Sequence, residues 1–469
     1  MEALREHLRD DPVGRRVHAI GAAIRARGGR ALLVGGAVRD ALLGQPSKDL
    51  DVETFGLGLP ELSEVLGEFG EVMTVGQSFG VLMIRGLDVD FSLPRRDSKT
   101  GAGHRGFEIQ VDPELDFSEA ARRRDLTINA IGFDLVTGEL LDPHGGVADL
   151  EAGRLRATDP QSFSEDPLRG LRVAQFAARF EMEPDAELTR LCSQLDLSEL
   201  PGERLGEEFN KLLLKGRKPS LGLRFLDESD LIRFFPELAE LRGVPQDAEW
   251  HPEGDVWIHT LMVLDSAAEL RTGDPGEDAA LMFAALCHDL GKPATTEVIE
   301  GRIRSRGHES AGLPPTSALL ERLRISNELI RAVGLLVLHH LSPTLFVQNG
   351  AGPRAYRRLA RELAAGGVSM ELLERIARAD QLGRTTEEAL RGEFEAGEAF
   401  LEKARQLAIP AEGPKDVVLG RHLIARGLSP SKRFGEILSA CREVQDERGW
   451  TDPERILDLV LTGEQEGPL

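Results

Sequence analysis

The chain has 469 residues, with 79 acidic and 57 basic side chains and a formal net charge of −22. A chain of this length predicts about two to four domains. Its content of 41% hydrophobic and 29% charged residues is typical of a folded globular protein rather than a disordered one. The acidic balance argues against a surface that binds polyanions everywhere, although a local basic patch can still bind nucleic acid.

The sequence predicts a cytoplasmic protein without membrane contact. Residues 1–6 are acidic and amphipathic, unlike the start of a secretory signal. We find no uninterrupted apolar run near the ~18–20 residues that span a bilayer. Cys192, Cys287 and Cys441 lie far apart and form no CxxC pair. This spacing argues against a disulfide scaffold and a thiolate zinc site, and it suits a reducing compartment.

Up to about residue 150, short strand-like segments alternate with helical ones. The apolar run at residues 31–34 predicts a buried strand that ends in Gly35-Gly36, and residues 49–55 alternate as in a half-buried strand. Further strands are predicted at residues 81–84 and 89–93, and a hairpin at residues 131–142. From about residue 165 onward the apolar residues follow helical spacing. The sequence therefore predicts an α/β head followed by an all-helical body.

Two motifs in the head indicate phosphate and metal chemistry. Gly35-Gly36 precedes Arg39 at the start of a helix, where exposed N–H groups and a guanidinium favour phosphate. Asp49 and Asp51 are two residues apart on one predicted strand, so their carboxylates face the same side. Because neighbouring carboxylates repel each other unless a cation lies between them, we interpret this pair as Mg²⁺ ligands. A solvated edge strand is the alternative for an isolated pair of this kind.

A third carboxylate could come from a later strand. Asp88 and Asp90 repeat the same spacing, and the sequence does not distinguish between them.

The head motifs resemble those of the bacterial tRNA nucleotidyltransferases and poly(A) polymerases, a branch of the DNA polymerase β superfamily. The matching segments, in chain order, are Gly35-Gly36-Ala37-Val38-Arg39-Asp40, Asp49-Leu50-Asp51, Arg123-Arg124-Asp125-Leu126-Thr127-Ile128-Asn129-Ala130, Asp142-Pro143-His144-Gly145-Gly146 with Asp149-Leu150, and Glu165-Asp166-Pro167-Leu168-Arg169. Ordered motifs over roughly 130 residues are far more specific than any single one.

The resemblance implies a set of nucleotide-binding residues. Gly36, Arg39 and Arg124 are expected to bind the nucleotide, with Asp125 offering a carboxylate to the ribose hydroxyls. Arg172 is expected to reach phosphate; related sequences often carry an arginine three residues further on, where this chain has Gln175.

Asp166 and Arg169 are the predicted base-selecting pair. Three residues apart on one predicted helix, they share a face. A carboxylate accepts hydrogen bonds and a guanidinium donates them, so the pair could imitate the pairing edge of a template base. The resemblance implies that it selects CTP or ATP; an ordinary intrahelical salt bridge is the alternative.

The segment at residues 94–105 is basic, contains glycine and has few apolar residues. This composition predicts a mobile loop. It resembles the loop that family members use to switch from CTP to ATP, and a plain connection between strands is the alternative.

A second constellation lies in the body. His259, His288-Asp289 and Asp380 follow the order of an HD phosphohydrolase. Because a buried imidazole and carboxylate are costly without a partner, these four residues indicate a second divalent metal. His308, His339 and His340 could complete another metal position or bind phosphate. The resemblance implies hydrolysis of phosphate esters, including 2′,3′-cyclic phosphates; a metal-free RNA scaffold is the alternative.

Three basic groups, within residues 211–218, 354–361 and 421–433, could form a track for a tRNA acceptor stem. Each group could equally be a solvated face.

These observations predict an α+β protein with four domains. They are a polymerase β-like nucleotidyltransferase head at residues 1–157, a helical nucleotide-selecting neck at 158–240, an HD domain at 241–385 and a helical tRNA-binding tail at 386–469. The expected activity is Mg²⁺-dependent addition of the terminal CCA, or of its last A, to tRNA from CTP and ATP without a nucleic-acid template. A poly(A) polymerase, or an HD phosphohydrolase with a non-catalytic head, remains the alternative.

Overall fold

The computed structural model describes residues 8–45, 50–75, 81–99, 107–409 and 413–463. The chain divides into two compact units. One comprises Met1–Pro201 and Leu221–Phe234, and the other Gly202–Ser220 and Phe235–Leu469. The finer division into four domains stays a prediction.

The first unit is built on β-strands with helices between them. Its strands are β1 (Arg30–Val34), β2 (Leu50–Phe55), β3 (Val72–Val75), β4 (Val81–Ile84), β5 (Leu87–Ser92), β6 (Arg95–Lys99), β7 (Phe107–Val111), β8 (Gly132–Asp134), β9 (Leu140–Leu141), β10 (Arg154–Leu155) and β11 (Glu183–Pro184). Its helices are α1 (Pro12–Ala26), α2 (Gly36–Leu42), α3 (Leu59–Gly67), α4 (Phe117–Arg122), α5 (Gly146–Glu151), α6 (Arg169–Phe180), α7 (Ala186–Ser193) and α9 (Pro219–Glu228), with 3-10 turns at Thr127–Asn129, Phe163–Glu165 and Leu231–Phe234.

Seven of these strands form one sheet in the order β3-β4-β5-β2-β1-β8-β9. β2 and β5 run parallel, and the other neighbouring strands are antiparallel. Along β5, buried Leu87, Val89 and Phe91 alternate with exposed Asp88 and Asp90. The sheet thus buries its apolar residues and exposes carboxylates, as alternation predicts. The strands predicted within residues 31–34, 50–55, 81–84 and 89–92, and the hairpin of β8 and β9, are confirmed.

The prediction of a mobile loop at residues 94–105 is wrong for its first half. Residues Arg95–Lys99 form β6, which pairs antiparallel with β7. Residues 100–106 lie outside the described part of the chain. The polar composition of residues 95–99 indicated a loop, but backbone pairing in a two-stranded ribbon does not require apolar side chains.

Asp149 stabilises the first unit from within. Its carboxylate is fully buried and accepts hydrogen bonds from Thr127 Oγ1 at 2.6 Å, Arg154 Nε at 2.8 Å and Arg156 Nε at 3.0 Å. Although burial favours the protonated acid, these donors hold the pKa of Asp149 below its usual value.

We expect Asp149→Ala to lower the local free energy of unfolding by about 2–3 kcal/mol, because three donors lose a charged acceptor. Hydrogen–deuterium exchange of residues 127–157 in native buffer measures this local opening. Exposed Glu151 of the same helix gives the matched control: Glu151→Ala should change it by less than about 0.5 kcal/mol. Equal protection of residues 127–157 from exchange in Asp149→Ala and Glu151→Ala would contradict the stabilising role of Asp149.

The second unit is mainly helical. Its helices are α8 (Gly202–Lys215), α10 (Pro236–Ala239), α11 (Val256–Glu269), α12 (Pro275–Cys287), α13 (Lys292–Thr295), α14 (His308–Ala311), α15 (Leu313–Arg322), α16 (Asn327–His339), α17 (Ser342–Gln348), α18 (Pro353–Ala365), α19 (Met370–Leu382), α20 (Glu387–Leu390), α21 (Glu395–Gln406), α22 (Gly420–Ala425), α23 (Lys432–Arg448) and α24 (Pro453–Gly463).

Helix α12 is the centre of this unit. It packs against α8, α11, α16 and α19, and residues from Ala279 to Cys287 along it are all buried. Its apolar run therefore reflects a helix surrounded by other helices. The expectation of an all-helical body is wrong at one place, since β12 (Thr296–Ile299) and β13 (Arg302–Ser305) form an antiparallel hairpin.

One segment, Asn327–Gln348, is apolar and long enough by composition to cross a membrane, with a mean hydropathy of 1.5. The count of uninterrupted apolar residues missed it because polar residues interrupt the segment. It comprises α16 and α17, and α16 packs against α12 and α15. Core helices of globular proteins pass the same test, so this finding is weak evidence for a membrane span.

Arginines of two predicted basic groups join helices of the second unit. Arg361 makes a two-point ion pair with Asp446 at 2.5 and 2.8 Å, and Arg357 donates to the backbone carbonyl of Asp446 at 2.7 Å. Arg426 pairs with Asp458 at 2.8 Å. These arginines link α18 to α23 and the end of α22 to α24, so they hold the helices together. The predicted RNA track stays a prediction.

Candidate functional sites

The turn between β1 and α2 brings an arginine and a carboxylate together. Gly35 has φ +71° and ψ −131°, a conformation that favours glycine. A Cβ on Gly35 would lie 3.0 Å from Nη1 of Arg124 and 3.9 Å from Oδ2 of Asp51. Glycine is therefore required at position 35 both by the backbone and by the close approach of Arg124. Gly36 begins α2, as predicted.

Asp51 lies next to Asp90 across the sheet. The two residues are direct partners in the parallel pairing of β2 with β5, and both are exposed. Paired residues on neighbouring strands point to the same face. Asp49 lies outside the described residues. Within the described residues, the register therefore places Asp90 opposite Asp51.

Arg39 is only 4% exposed. It donates to Asp40 at 2.8 Å and to the side chain of Asn129, and its guanidinium lies 5.0 and 4.7 Å from the ring centres of Phe176 and Phe180. Arg39 therefore joins α2 to α6, and its predicted contact with the nucleotide stays a prediction.

Asp125 is buried and holds Arg172 in place. It accepts hydrogen bonds from Arg172 Nε at 2.6 Å, from Asn129 Nδ2 at 2.8 Å and from the amide of Leu126 at 2.8 Å. Burial raises the pKa of Asp125, but the charge of Arg172 and these hydrogen bonds outweigh it and lower the pKa to about 2. The carboxylate that the resemblance assigns to ribose is thus engaged with protein donors in this structure.

Asp166 and Arg169 do not share a helix as predicted. Asp166 has extended backbone angles, and α6 begins only at Arg169. Asp166 accepts from the amide of Leu168 at 3.1 Å, while Arg169 donates to the backbone carbonyls of Ser162 at 2.9 Å and Arg123 at 2.7 Å. The expectation failed because Pro167 disfavours a helical conformation in the residue before it. The pair instead flanks the turn that starts α6.

Sequence reasoning missed two residues that organise the head. Glu53 is fully buried on β2 and lies 3.0 Å from Nη2 of Arg123 and 3.5 Å from Nη2 of Arg124. Asn129 donates to Asp125 and accepts from Arg39. Glu53 is a charged residue within the partly apolar strand β2. This position was a signal in the sequence, because a buried carboxylate needs a partner.

The four predicted HD residues come together in the second unit. Nε2 of His259 lies 3.0 Å from Oδ1 of Asp380 and 3.9 Å from Oδ2 of Asp289, and Nε2 of His288 lies 3.2 Å from the same Oδ2. All four side chains are buried. Despite burial, nearby cationic groups hold the pKa values of Asp289 and Asp380 well below the usual carboxyl range. Both carboxylates are therefore ionised and available as ligands.

Two of the three further histidines join this cluster. Nε2 of His308 lies 3.4 Å from Oδ1 of Asp289 and 3.3 Å from Nε2 of His340. Burial lowers the pKa of His340 to about 3, so this imidazole is neutral. His339 instead lies 3.3 Å from Glu362.

A cavity of about 240 Å³ opens onto the HD cluster. Cations in its lining include Lys292, whose Nζ lies 2.7 Å from Oδ2 of Asp289, and Arg384, which donates to both oxygens of Asp380 at 3.1 and 3.0 Å. Trp250 also lines it, with 54% of its surface exposed. The cavity thus joins carboxylates and imidazoles to two cations suited to phosphate.

Glu253 and His251 were missed as neighbours of the cluster. Oε1 of Glu253 lies 2.9 Å from Nδ1 of His251 and 2.9 Å from Nδ1 of His259. Glu253 is buried, and its other oxygen accepts from the amide of Thr385 at 3.2 Å. The spacing of residues 251, 253 and 259 gives no strand or helix period, so the sequence offered little signal for this grouping.

Comparison with known families gives three matches along the chain. Residues 31–156 match the family described as the poly A polymerase head domain, and residues 256–381 match the HD domain. Residues 179–241 match a family described as the probable RNA and SrmB-binding site of polymerase A.

Curated relatives match over most of their length. A multifunctional CCA protein of Xanthomonas campestris is 37% identical over 418 residues, which cover 87% of this chain and 96% of the relative. One of Stenotrophomonas maltophilia is 41% identical over 318 residues, covering 66% of this chain and 75% of the relative.

Solved structures share the fold. A Bacillus stearothermophilus CCA-adding enzyme in complex with CTP matches with a TM-score of 0.66 at 20% identity, covering 97% of this chain and 98% of that one. A Thermotoga maritima CCA-adding enzyme complexed with tRNA matches with a TM-score of 0.61 at 20% identity, covering 98% of each chain. The predicted α+β architecture, with a polymerase head and an HD domain, is thereby confirmed. With the long match to its curated relatives, the chain belongs to the family of bacterial tRNA nucleotidyltransferases, the multifunctional CCA proteins, that carry an HD domain.

Proposed function

We propose that the head adds the terminal CCA to tRNA from CTP and ATP, with the acceptor stem as the second substrate. The observation that carries this proposal is the pairing of Asp51 with Asp90 beside the Gly35 turn. Exposed carboxylates next to an arginine-lined turn suit a divalent cation and a triphosphate. The names of the relatives support CCA as the product.

The donor set fits Mg²⁺, which prefers carboxylate oxygens and phosphate oxygens. Asp49, Asp51 and Asp90 would hold it, and the bound ion would lower the pKa of the attacking hydroxyl and neutralise the leaving pyrophosphate. Arg124, at the Gly35 turn, is placed to bind triphosphate. Arg172, aligned by Asp125, is placed to do the same.

We further propose that Asp166 and Arg169 select the base from the turn that opens α6. Arg169 is held by two backbone carbonyls, which fix the position of its guanidinium. A fixed donor beside a carboxylate acceptor can discriminate between bases by hydrogen bonding.

The test uses transcripts that end before CCA, after C and after CC, each supplied with CTP or ATP singly. Addition of C to the first two transcripts, and of one A to the third, supports the proposal. Long A-tails on any RNA would indicate a poly(A) polymerase. Addition of A without any use of CTP would indicate an enzyme restricted to the last nucleotide.

The register predicts different effects for the two later carboxylates. Asp90→Asn should lower nucleotide addition by about 10²–10³-fold, because Asp90 lies directly opposite Asp51. Asp88→Asn, on the same face of the same strand, should lower it by less than about 5-fold. Single-turnover incorporation of labelled CMP measures both. A larger loss in Asp88→Asn would reverse the assignment.

We propose that the HD cluster carries a second activity, the hydrolysis of phosphate esters, including 2′,3′-cyclic phosphates. Asp289 Oδ1 and His288 Nε2 are buried atoms that form no hydrogen bond within the described residues, so this donor set fits a divalent metal. His259, His288, Asp289 and Asp380 would hold it, and the metal would supply an activated water. Lys292 and Arg384 would orient the phosphate.

We also propose a cytoplasmic location. Cys192, Cys287 and Cys441 are buried thiols that form no disulfide with one another, as in a protein kept in a reducing compartment.

A further inference from the structure

A second cavity, of about 460 Å³, lies next to the cavity that opens onto the HD cluster. The linings of the two cavities share Trp250, Leu341 and Arg384, and all three residues belong to the second compact unit. One ligand can therefore extend from the first cavity into the second. The volume of the second cavity falls within the range of about 300–1,000 Å³ that is typical of small-molecule sites.

The first cavity is the one that suits a phosphate group. Lys292, whose Nζ lies 2.7 Å from Oδ2 of Asp289, is part of its lining. Arg384 lines both cavities and donates to both oxygens of Asp380. With the phosphate at the HD cluster, a placement that rests on the proposed ester hydrolysis, the rest of the ester extends past Arg384 into the second cavity.

Trp250 gives the second cavity an aromatic surface. Its side chain is 54% exposed, whereas Trp257 of the same unit is 5% exposed, so the indole of Trp250 is not a core residue. Leu341 and Leu345 extend this apolar surface. An exposed indole beside a phosphate site suits the flat face of a nucleobase, because stacking of a base on an aromatic side chain contributes about 1–3 kcal/mol.

Polar side chains of the same cavity suit the edges of a nucleoside. Thr344 and Gln348 lie four residues apart on α17 and therefore share a face of that helix. Gln381 lines the cavity from α19. Hydroxyl and amide groups both donate and accept hydrogen bonds, as ribose hydroxyls and the ring and exocyclic nitrogens of a base require.

The charges of the second cavity favour a free nucleotide over the end of an RNA chain. Glu388, Glu393 and Glu395 line it together with Arg391, which pairs with Glu393 at 2.8 Å. Three carboxylates and one guanidinium leave a negative charge there. A further phosphate of an RNA chain would be repelled by this charge, whereas an uncharged nucleoside would not.

We propose that the second cavity binds the nucleoside of a free nucleoside 2′,3′-cyclic phosphate or 2′-phosphate, with the base stacked on Trp250 and the phosphate at the HD cluster. Trp250 then determines specificity through the base and does not contact the reacting phosphate.

Equilibrium binding tests this site without turnover. Adenosine 2′-phosphate is titrated into the full chain in excess Mg²⁺ while indole fluorescence is recorded. Stacking of adenine should quench the emission of Trp250, and Trp250→Phe should lose this saturable part of the quench. The other two tryptophans, Trp257 and Trp450, are present in both proteins and cancel in the difference. An equal quench in both proteins would overturn the proposal, whatever the rate of hydrolysis.

Two matched esters test specificity. Adenosine 2′,3′-cyclic phosphate carries the base, and 1-O-methylribose 2′,3′-cyclic phosphate has the same reacting group without it. Trp250→Ala should lower kcat/KM about 10–100-fold for the first ester, mainly through KM, and less than about 2-fold for the second. Leu390→Ala is the control, because Leu390 is 74% exposed and lies outside both linings. An equal loss with both esters in Trp250→Ala would overturn the proposal.

A dinucleotide that ends in a 2′,3′-cyclic phosphate separates a free nucleotide from an RNA end. At low salt its kcat/KM should be about 3–10-fold lower than that of adenosine 2′,3′-cyclic phosphate, because the glutamates repel the additional phosphate. A higher kcat/KM for the dinucleotide would overturn the choice of a free nucleotide. If no ester were hydrolysed while the quench that depends on Trp250 persisted, the nucleoside site would be supported and only the proposed hydrolase activity would be contradicted.

Discussion

Asp51→Asn is expected to lower nucleotide addition by at least about 10³-fold, equivalent to about 4 kcal/mol of transition-state stabilisation. The substitution keeps the shape of the side chain but removes a charge at the proposed Mg²⁺ position. Asp51 is exposed on β2, so the fold should tolerate the change. Incorporation of labelled CMP and AMP into transcripts lacking CCA measures the loss.

The control for Asp51→Asn is the proposed ester hydrolysis at the HD cluster of the same protein. Hydrolysis of a 2′,3′-cyclic nucleotide should stay within about 2-fold, because Asp51 belongs to the first compact unit and the HD cluster to the second. If Asp51→Asn kept more than about a tenth of the rate of nucleotide addition of the unmodified protein, this carboxylate would hold no essential metal.

His288→Ala is expected to have the opposite pattern. Ester hydrolysis should fall by about 10²–10³-fold, because one of the proposed metal ligands is lost. Nucleotide addition should stay within about 2-fold. Initial rates of both reactions on one preparation make the comparison direct.

A buried imidazole also contributes to packing, so His288→Ala needs a folding control. His288 is 1% exposed, and its removal leaves a cavity. Thermal unfolding and a second variant, His288→Asn, separate loss of a ligand from loss of structure. If either variant of His288 lost both activities while remaining folded, the two sites would not be independent.

The sheet of the head and the order of its motifs were predictable because they depend on local pattern. Alternation in β5 and the apolar run of β1 specify which face is buried. The convergence of His259, His288, Asp289 and Asp380 was predictable only through the resemblance to a family, since these residues span more than a hundred positions.

Other features depend on tertiary contacts that sequence spacing does not encode. The pairing of Asp90 with Asp51 follows from the register of two parallel strands. Arg361 and Asp446 form an ion pair because α18 packs on α23, a contact that sequence spacing did not indicate. The prediction that Asp166 and Arg169 share a helix was wrong for a local reason. Pro167 disfavours a helical conformation in the residue before it, and this signal was present in the sequence.

The burial of Arg39 has a mechanical consequence for the choice between CTP and ATP. Its guanidinium ties the first turn of α2 to the phenyl rings of Phe176 and Phe180 on α6, and Asp40 adds a contact with Arg179 at 3.1 Å. The turn at Gly35 and the start of α6 at Arg169 are thereby held together. We therefore expect the proposed change of preference from cytidine to adenosine to come from rotation of side chains or from the growing RNA end, because sliding α6 along α2 would break these contacts.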